Sequence, residues 1–128
     1  MPRVFASLLA LLLIVQPLRA AEQAPLDPAV FAEAVNKLHQ IGILSDPQYW
    51  IENVKPGKFI PSANLHPVLI AAANKFEPVD SVPAAIEVLY KNKILSNAEK
   101  WNNDIVNKPK AASGVITLLF MALSKNIN

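Results

Sequence analysis

The sequence predicts an all-α protein in which two tandem three-helix repeats pack into one small domain behind a cleaved signal peptide. Residue types recur at a fixed offset of 51 positions, apolar residues recur at helical spacing, and no segment alternates with period two. One structural unit is therefore expected to occur twice. The positions that recur are Ala34, Val35, Leu38, Ile43, Leu44, Ser45 and Trp50, matched by Ala85, Ile86, Leu89, Ile94, Leu95, Ser96 and Trp101.

Residues 1–20 have the composition of a secretory signal peptide. A positive charge at Arg3 precedes an apolar run over 4–15, and the segment ends in a small residue, Ala20, after which we expect cleavage. The apolar run is shorter than the roughly 20 residues that a membrane span needs, so no transmembrane anchor is expected after cleavage. We therefore expect an exported protein, either periplasmic or extracellular.

The charge balance of the mature chain limits the classes of partner that it is expected to bind. Both arginines lie in the leader, so ten lysines face ten acidic residues, and cysteine is absent, which excludes disulfides. A neutral chain without arginine does not favour nucleic-acid binding. Residues 21–80 hold four lysines and seven acids, and residues 81–128 hold six lysines and three acids, so the two parts carry −3 and +3. This asymmetry fits attraction within one domain or self-association between molecules.

The repeats follow an extended lead-in over 21–28, where two prolines within four residues oppose a helix. The helical domain is expected over 29–128, with repeat 1 over 29–77 and repeat 2 over 82–126. Asp27 and Ser81 are the expected caps of the two first helices, because each precedes a proline in the first helical turn. Gly42 should end the first helix of repeat 1, and Lys93 occupies its place in repeat 2.

The second and third helices complete each repeat. Ser45 and Ser96 match the spacing of capping boxes, so second helices are expected over 46–54 and 97–106. The following loop appears four residues shorter in repeat 2, which changes the offset to 47 and aligns apolar third helices. Ser62 or Asn64 is expected to cap the third helix of repeat 1. The last helix, over 111–125, is apolar nearly all round, so we expect it to be central and buried.

No motif in the chain indicates catalysis, a metal or a cofactor. His39 and His66 are 27 residues apart without cysteine ligands, and no nucleophile elbow or phosphate loop is present. A glycoside hydrolase would need a carboxylic acid in an apolar pocket. The candidates fall at solvent-facing or capping positions; they are Glu33, Glu52, Glu87 and Glu99. We expect no enzyme, no cofactor and no catalytic residue.

Aromatic and amide side chains are the best candidates for contact with a partner or a saccharide. Tyr49, Trp50 and Trp101 can stack on a sugar ring, and Asn53 and Asn102 can hydrogen-bond to it. A tryptophan that recurs at the same place in two repeats is also what a repeated core requires. Tyr49, whose counterpart is a lysine, is expected at the surface.

The segment over 38–50 reads Leu-His-Gln-Ile-Gly-Ile-Leu-Ser-Asp-Pro-Gln-Tyr-Trp. It resembles a short helical repeat of bacterial exported proteins, in which Leu-x3-Gly-Ile is followed by Ser-Pro-x-Tyr-Trp. Repeat 2 keeps Ile-Leu-Ser and the tryptophan but has Lys93, Ala98 and Lys100 in place of the glycine, proline and tyrosine. The resemblance implies helicity, export and an accessory role at the cell envelope, where such repeats accompany cell-wall hydrolases. It implies no site residue.

The sequence thus predicts an exported, non-catalytic helical interaction module that acts on a cell-envelope component or a partner protein. Two alternatives stay open. One is a small carboxylate-dependent hydrolase of cell-wall polysaccharide, and the other is a structural protein that self-assembles through its oppositely charged halves.

Overall fold

The structure, a computed structural model, describes residues 27–127, and the expected signal peptide with nearly all of the lead-in lies outside them. Over this range the chain is a mostly helical small domain with six α-helices and a two-stranded antiparallel sheet. The predicted helical character of the domain is confirmed, and the short sheet is a departure from the strictly all-α expectation. The elements are α1 (Pro28–Gln40), α2 (Pro47–Asn53), β1 (Phe59–Pro61), a 3₁₀ turn (Ser62–Leu65), α3 (His66–Ala73), α4 (Val82–Lys91), α5 (Ala98–Trp101), a π-helical turn (Asn102–Val106), β2 (Lys110–Ala112) and α6 (Ser113–Asn126).

The helices α1 and α4 begin at the predicted caps. The Asp27 carboxylate accepts a hydrogen bond from the Ala29 amide at 2.8 Å, and the Ser81 hydroxyl accepts one from the Ala84 amide at 3.3 Å. A left-handed residue lies two positions after the end of each helix: Gly42, with φ +85°, follows α1, and Lys93, with φ +64°, follows α4. Glycine adopts this conformation freely, whereas a lysine there carries backbone strain.

The caps of the second helices lie one residue later than predicted. Asp46, not Ser45, accepts a hydrogen bond from the Tyr49 amide at 3.2 Å, and Asn97, not Ser96, accepts one from the Lys100 amide at 3.1 Å. In the first case the cause is Pro47, which occupies the first helical position and so leaves Asp46 as the residue before the helix. The turn after α5 is π-helical, with the Asn107 amide donating to the Asn102 carbonyl at 3.0 Å.

The two strands form what we call the β ribbon. Its strands pair so that the central residues are 51 positions apart in the sequence, the offset of the repeat. Ile60 pairs with Ala111 at the centre, so each central residue faces the position that matches it in the other half of the chain. The ladder continues at both ends: the Ser62 amide donates to the Pro109 carbonyl at 2.9 Å, and the Ser113 amide to the Lys58 carbonyl at 3.2 Å. Because these two bonds exchange places under a half-turn, a local two-fold axis passes through the ribbon.

The ribbon also corrects the predicted alignment of the third helices. No four-residue loop is lost, since the offset of 51 continues through the strands and into α3 and α6. Leu69 and Phe120 are both fully buried at this offset. The offset of 47 instead matches Phe76, which is 40% exposed, with the fully buried Leu123. The predicted alignment of the third helices is therefore wrong.

The third helix of each half begins differently from what the sequence predicted. A 3₁₀ turn precedes α3, and neither Ser62 nor Asn64 caps it with a side chain. Asn64 instead donates its amide group to the Tyr49 hydroxyl at 2.8 Å. The last helix begins at Ser113, two residues later than expected, because the preceding residues form β2, and it is largely buried as predicted.

The helices pack across the two-fold axis. Taking residues 27–77 as the first half and 78–127 as the second half, α3 packs mainly on α4, and α6 packs mainly on α1. The third helix of each half thus covers the first helix of the other half. A single apolar core results, to which both halves contribute. The two halves are therefore not independent three-helix bundles.

Candidate binding surface

Both tryptophans lie in the core. Trp50 is 5% exposed and Trp101 is 6% exposed. The Trp50 ring meets Phe120 edge-on, with centroids 5.0 Å apart and planes at 67°, and Phe120 stacks in parallel with Phe31 at 5.9 Å. A platform for a sugar needs one ring face open to solvent. Burial to this degree is what a core position requires and leaves little ring surface for a ligand.

Equivalent residues cover the two indole rings. Tyr49 meets the Trp50 ring edge-on at 5.1 Å, and Lys100 places its ammonium 4.4 Å from the Trp101 ring centroid. Lys100 also pairs with Asp104 at 2.9 Å, which holds the ammonium in place. Positions 49 and 100 were expected at the surface; Lys100 is exposed and Tyr49 is half-buried. Each covers a tryptophan as well as facing solvent.

The two predicted amide residues are half-buried and already bonded within their own helices. The Asn53 side chain donates to the Tyr49 carbonyl at 2.7 Å, and the Asn102 side chain donates to the Ala98 carbonyl at 2.9 Å. Their side-chain oxygens retain capacity to accept hydrogen bonds. Of the five predicted contact residues, Tyr49, Asn53 and Asn102 thus offer a partner limited polar surface, while the tryptophans are buried.

A surface cleft that the sequence did not indicate lies at the end of α4. Its volume is about 450 Å³, and it is lined by Tyr90, Lys91, Lys93, Leu95 and Ser96. We call it the Tyr90 cleft. Tyr90 is 47% exposed, and Lys91 pairs with Glu77 at 3.3 Å. The repeat offered a signal for this cleft, because its residues differ from their counterparts in the first half of the chain. Tyr90 corresponds to His39, and Lys93 corresponds to Gly42.

Two further clefts are smaller. One of about 380 Å³ lies beside α5 and is lined by five polar or charged residues: Asn97, Glu99, Lys100, Asn103 and Asp104. The other, of about 250 Å³, lies between α1 and α6, where Lys37 donates a hydrogen bond to the Ser124 carbonyl. Neither includes a residue of the predicted contact set.

The ionisable side chains that the sequence singled out as candidates lie at the surface or in the turn that follows α1. All four carboxylates considered at the outset are exposed; they are Glu33, Glu52, Glu87 and Glu99. The Nδ1 atom of His39 lies 2.9 Å from the Leu44 carbonyl oxygen in the turn after α1. Within residues 27–127, no group of three or more His, Asp or Glu side chains is positioned to hold a metal ion.

Over the same range no helix has the length and apolarity to cross a membrane. The core is closed, and the surface offers shallow clefts and one exposed β ribbon. Comparisons with protein-family models, with curated proteins and with solved structures give no match for this chain.

Proposed function

We propose that the protein is an exported, non-catalytic helical module that binds a cell-envelope component or a partner protein. The observation that carries this proposal is that the candidate side chains serve the fold or stand in solvent, and none lines an enclosed pocket. The tryptophans hold the core, the polar residues before the helices cap them, and the four candidate carboxylates stand in solvent rather than in an apolar pocket. Such a molecule acts through its surface.

The Tyr90 cleft is the contact site that we assign to this function. It combines an exposed aromatic ring with two lysines, above a floor in which Leu95 is buried, and this suits a ligand with a ring-shaped part and an acidic group. Lys93 lies in this cleft and adopts the left-handed conformation that Gly42 adopts in the first half. Strained non-glycine residues often occur where a side chain is needed at that place.

The test uses the chain from Ala21 onward, immobilised and exposed to solubilised envelope proteins and to insoluble peptidoglycan. We expect one of them to be retained, and Tyr90→Ala to reduce retention about tenfold, which corresponds to burial of part of an aromatic ring. Phe76→Ala is the matched control, since Phe76 is similarly exposed but lies outside the cleft. Absence of any retained material would count against the proposal.

The same preparation separates binding from hydrolysis. A cleared zone in a peptidoglycan zymogram that disappears in Glu33→Gln, Glu52→Gln, Glu87→Gln or Glu99→Gln would establish a hydrolase instead. Self-assembly through the charged halves would appear as an oligomer that dissociates as salt rises, because salt screens exposed charges. Among residues 27–127 one surface ion pair, Lys91 with Glu77, joins the −3 and +3 parts.

We further propose that the domain arose by duplication of one unit of 51 residues and is exported by cleavage after Ala20. Support for duplication comes from positions 51 apart that share burial, backbone conformation and hydrogen bonds. The Ile43 and Ile94 amides, for example, donate to the Leu38 and Leu89 carbonyls, both at 2.8 Å. N-terminal sequencing of the exported protein should begin at Ala21.

A further inference from the structure

The outer face of the β ribbon carries an unusual combination of residues. Side chains alternate along a strand, and Ile60 and Ala111 point into the core, being 3% and 1% exposed. Phe59 therefore points outward and is 62% exposed, the highest value among the exposed large apolar residues of the described chain. Lys110 lies diagonally across the ribbon from Phe59, at a Cα separation of about 7–8 Å for such pairs.

Three exposed lysines lie on the turn before this phenylalanine or across the ribbon from it. Lys55 and Lys58 lie in the turn that enters β1, where the Lys58 amide donates to the Lys55 carbonyl at 3.0 Å, and both are exposed. Among the described residues, Lys55, Lys58 and Lys110 have no ion-pair partner, whereas Lys108 lies 3.5 Å from Asp104. We call Lys55, Lys58, Phe59, Pro61 and Lys110 the ribbon patch.

No acidic residue interrupts the two segments that build the patch. The sequence has neither Asp nor Glu over 53–76 or over 105–128, although the chain as a whole holds ten acidic residues. The patch is therefore a local positive field on a mature chain of zero net charge. A positive field at the surface selects an anionic partner.

The exposed ring decides which kind of anionic partner fits. A dissolved polyanion would engage the lysines and leave Phe59 in water. At an anionic lipid bilayer the lysine ammonium groups can reach the phosphates while the ring enters the apolar boundary below them. Pro61 lies beside Phe59 on the same outward face of the ribbon and adds apolar surface without a backbone N–H group that needs a partner.

We propose that the ribbon patch docks the protein on the surface of an anionic lipid bilayer. This inference rests on the proposed function, to which it adds a second contact surface, separate from the Tyr90 cleft, for the lipid of the envelope. The lysines and the ring of the patch contact only the surface of a bilayer, so attachment through them is peripheral and reversible. Membrane attachment combines two weak interactions here, the attraction of three lysines to anionic headgroups and the insertion of one aromatic ring.

The experiment measures co-sedimentation of the chain from Ala21 onward, which keeps every residue of the packed domain, with vesicles of defined composition. We expect binding to vesicles of mixed phosphatidylglycerol and phosphatidylcholine and little binding to phosphatidylcholine alone. Lys58→Ser with Lys110→Ser should weaken partitioning about 25-fold, that is, about fivefold for each lysine. Phe59→Ser should weaken it about tenfold.

A charge-matched control guards against a simple net-charge effect. Lys75→Ser with Lys125→Ser removes the same charge from exposed positions outside both the ribbon patch and the Tyr90 cleft, and it should keep most of the vesicle binding. Equal losses in the two double variants would overturn the proposal. A loss with the lysine variant but none with Phe59→Ser, together with competition by soluble polyphosphate, would show a polyanion site instead.

The outcome is also separable from that of the proposed function. If envelope material is retained in the earlier assay but vesicles are not bound, the docking inference fails alone. If neither is bound, both fail. Because Phe59 and the two lysines are solvent-exposed, these variants should melt at the wild-type temperature, and circular dichroism checks that each is folded.

Discussion

Truncation of Trp50 should destabilise the domain more than truncation of Trp101. A buried tryptophan removes about 150–250 Å² from water, which at about 25 cal/mol per Å² corresponds to roughly 4–6 kcal/mol as an upper estimate. Trp50 also makes edge-on contacts with Phe120 and Tyr49, and such pairs contribute about 0.5–1.5 kcal/mol each. We expect a loss of about 5 kcal/mol for Trp50→Ala and about 3–4 kcal/mol for Trp101→Ala.

Urea unfolding followed by far-ultraviolet circular dichroism measures these losses, since the helical signal does not depend on the indole that is removed. Trp50→Phe and Trp101→Phe are the matched controls and should cost less, because most of the ring volume is retained. Against a total of about 5–15 kcal/mol, either alanine substitution removes a large fraction of the free energy of unfolding. If both alanine variants unfolded within about 0.5 kcal/mol of wild type, the core assignment of the rings would be refuted.

The remaining predictions concern backbone and polar details of the fold, each read as a change in unfolding free energy. Gly42→Ala should cost about 1–2 kcal/mol through its positive φ alone, since the added Cβ would meet only the Lys75 ammonium at 3.9 Å. Lys93→Gly should be neutral or stabilising by up to about 1 kcal/mol, because glycine relieves the left-handed strain. Asp46→Ala and Asn97→Ala should each cost about 0.5–2 kcal/mol as lost caps, whereas Ser45→Ala and Ser96→Ala should change little. Ser62→Ala should be neutral or stabilising by about 1 kcal/mol, since its buried hydroxyl has no hydrogen-bond partner.

Two of these predictions have outcomes that would directly contradict them. A destabilising Ser62→Ala would mean that the hydroxyl is bonded, most simply to a buried water. If Ser45→Ala and Ser96→Ala lowered the free energy of unfolding as much as Asp46→Ala and Asn97→Ala, the serines would have to be helix caps as well.

The sequence was sufficient for the helices because their signals are local. Asp27 and Ser81 precede prolines that can begin a helix, and both caps occur as predicted. The stripe over Phe31, Ala34, Val35 and Leu38 is buried on α1. In the same way, burial of the two tryptophans follows from their recurrence at one place of a repeated pattern.

The β ribbon could not be read from local sequence because its cause is tertiary. Each strand has only three residues. β1 contains Pro61, which is disfavoured within sheets, and β2 consists of a lysine and two alanines, so neither segment is long enough or regular enough to be recognised as a strand. Pro61 is tolerated because its pair with Lys110 alternates with the hydrogen-bonded positions of the ladder, as shown by the bond from Ser62 to Pro109. The strands exist because the two-fold axis brings equivalent segments together.

The misplaced alignment of the third helices has a related cause. Helices that are apolar nearly all round match one another at several offsets, so apolar identity could not distinguish 47 from 51. The polar exceptions could have done so, because Ser62 and Ser113 are 51 apart and both 3% exposed. For the binding surface, residue type indicated aromatic and amide groups, but only the packing shows which of them face solvent.

The half-turn that relates Ile60 to Ala111 bears on how such a chain can have originated. Equivalent residues meeting each other across an axis is the geometry of an isologous dimer. A polypeptide of one such half would leave its first helix uncovered until a second copy supplied the third helix, so its folding would depend on concentration. Joining two copies through the connection over 74–81 makes that encounter intramolecular, and the fused chain folds at any dilution.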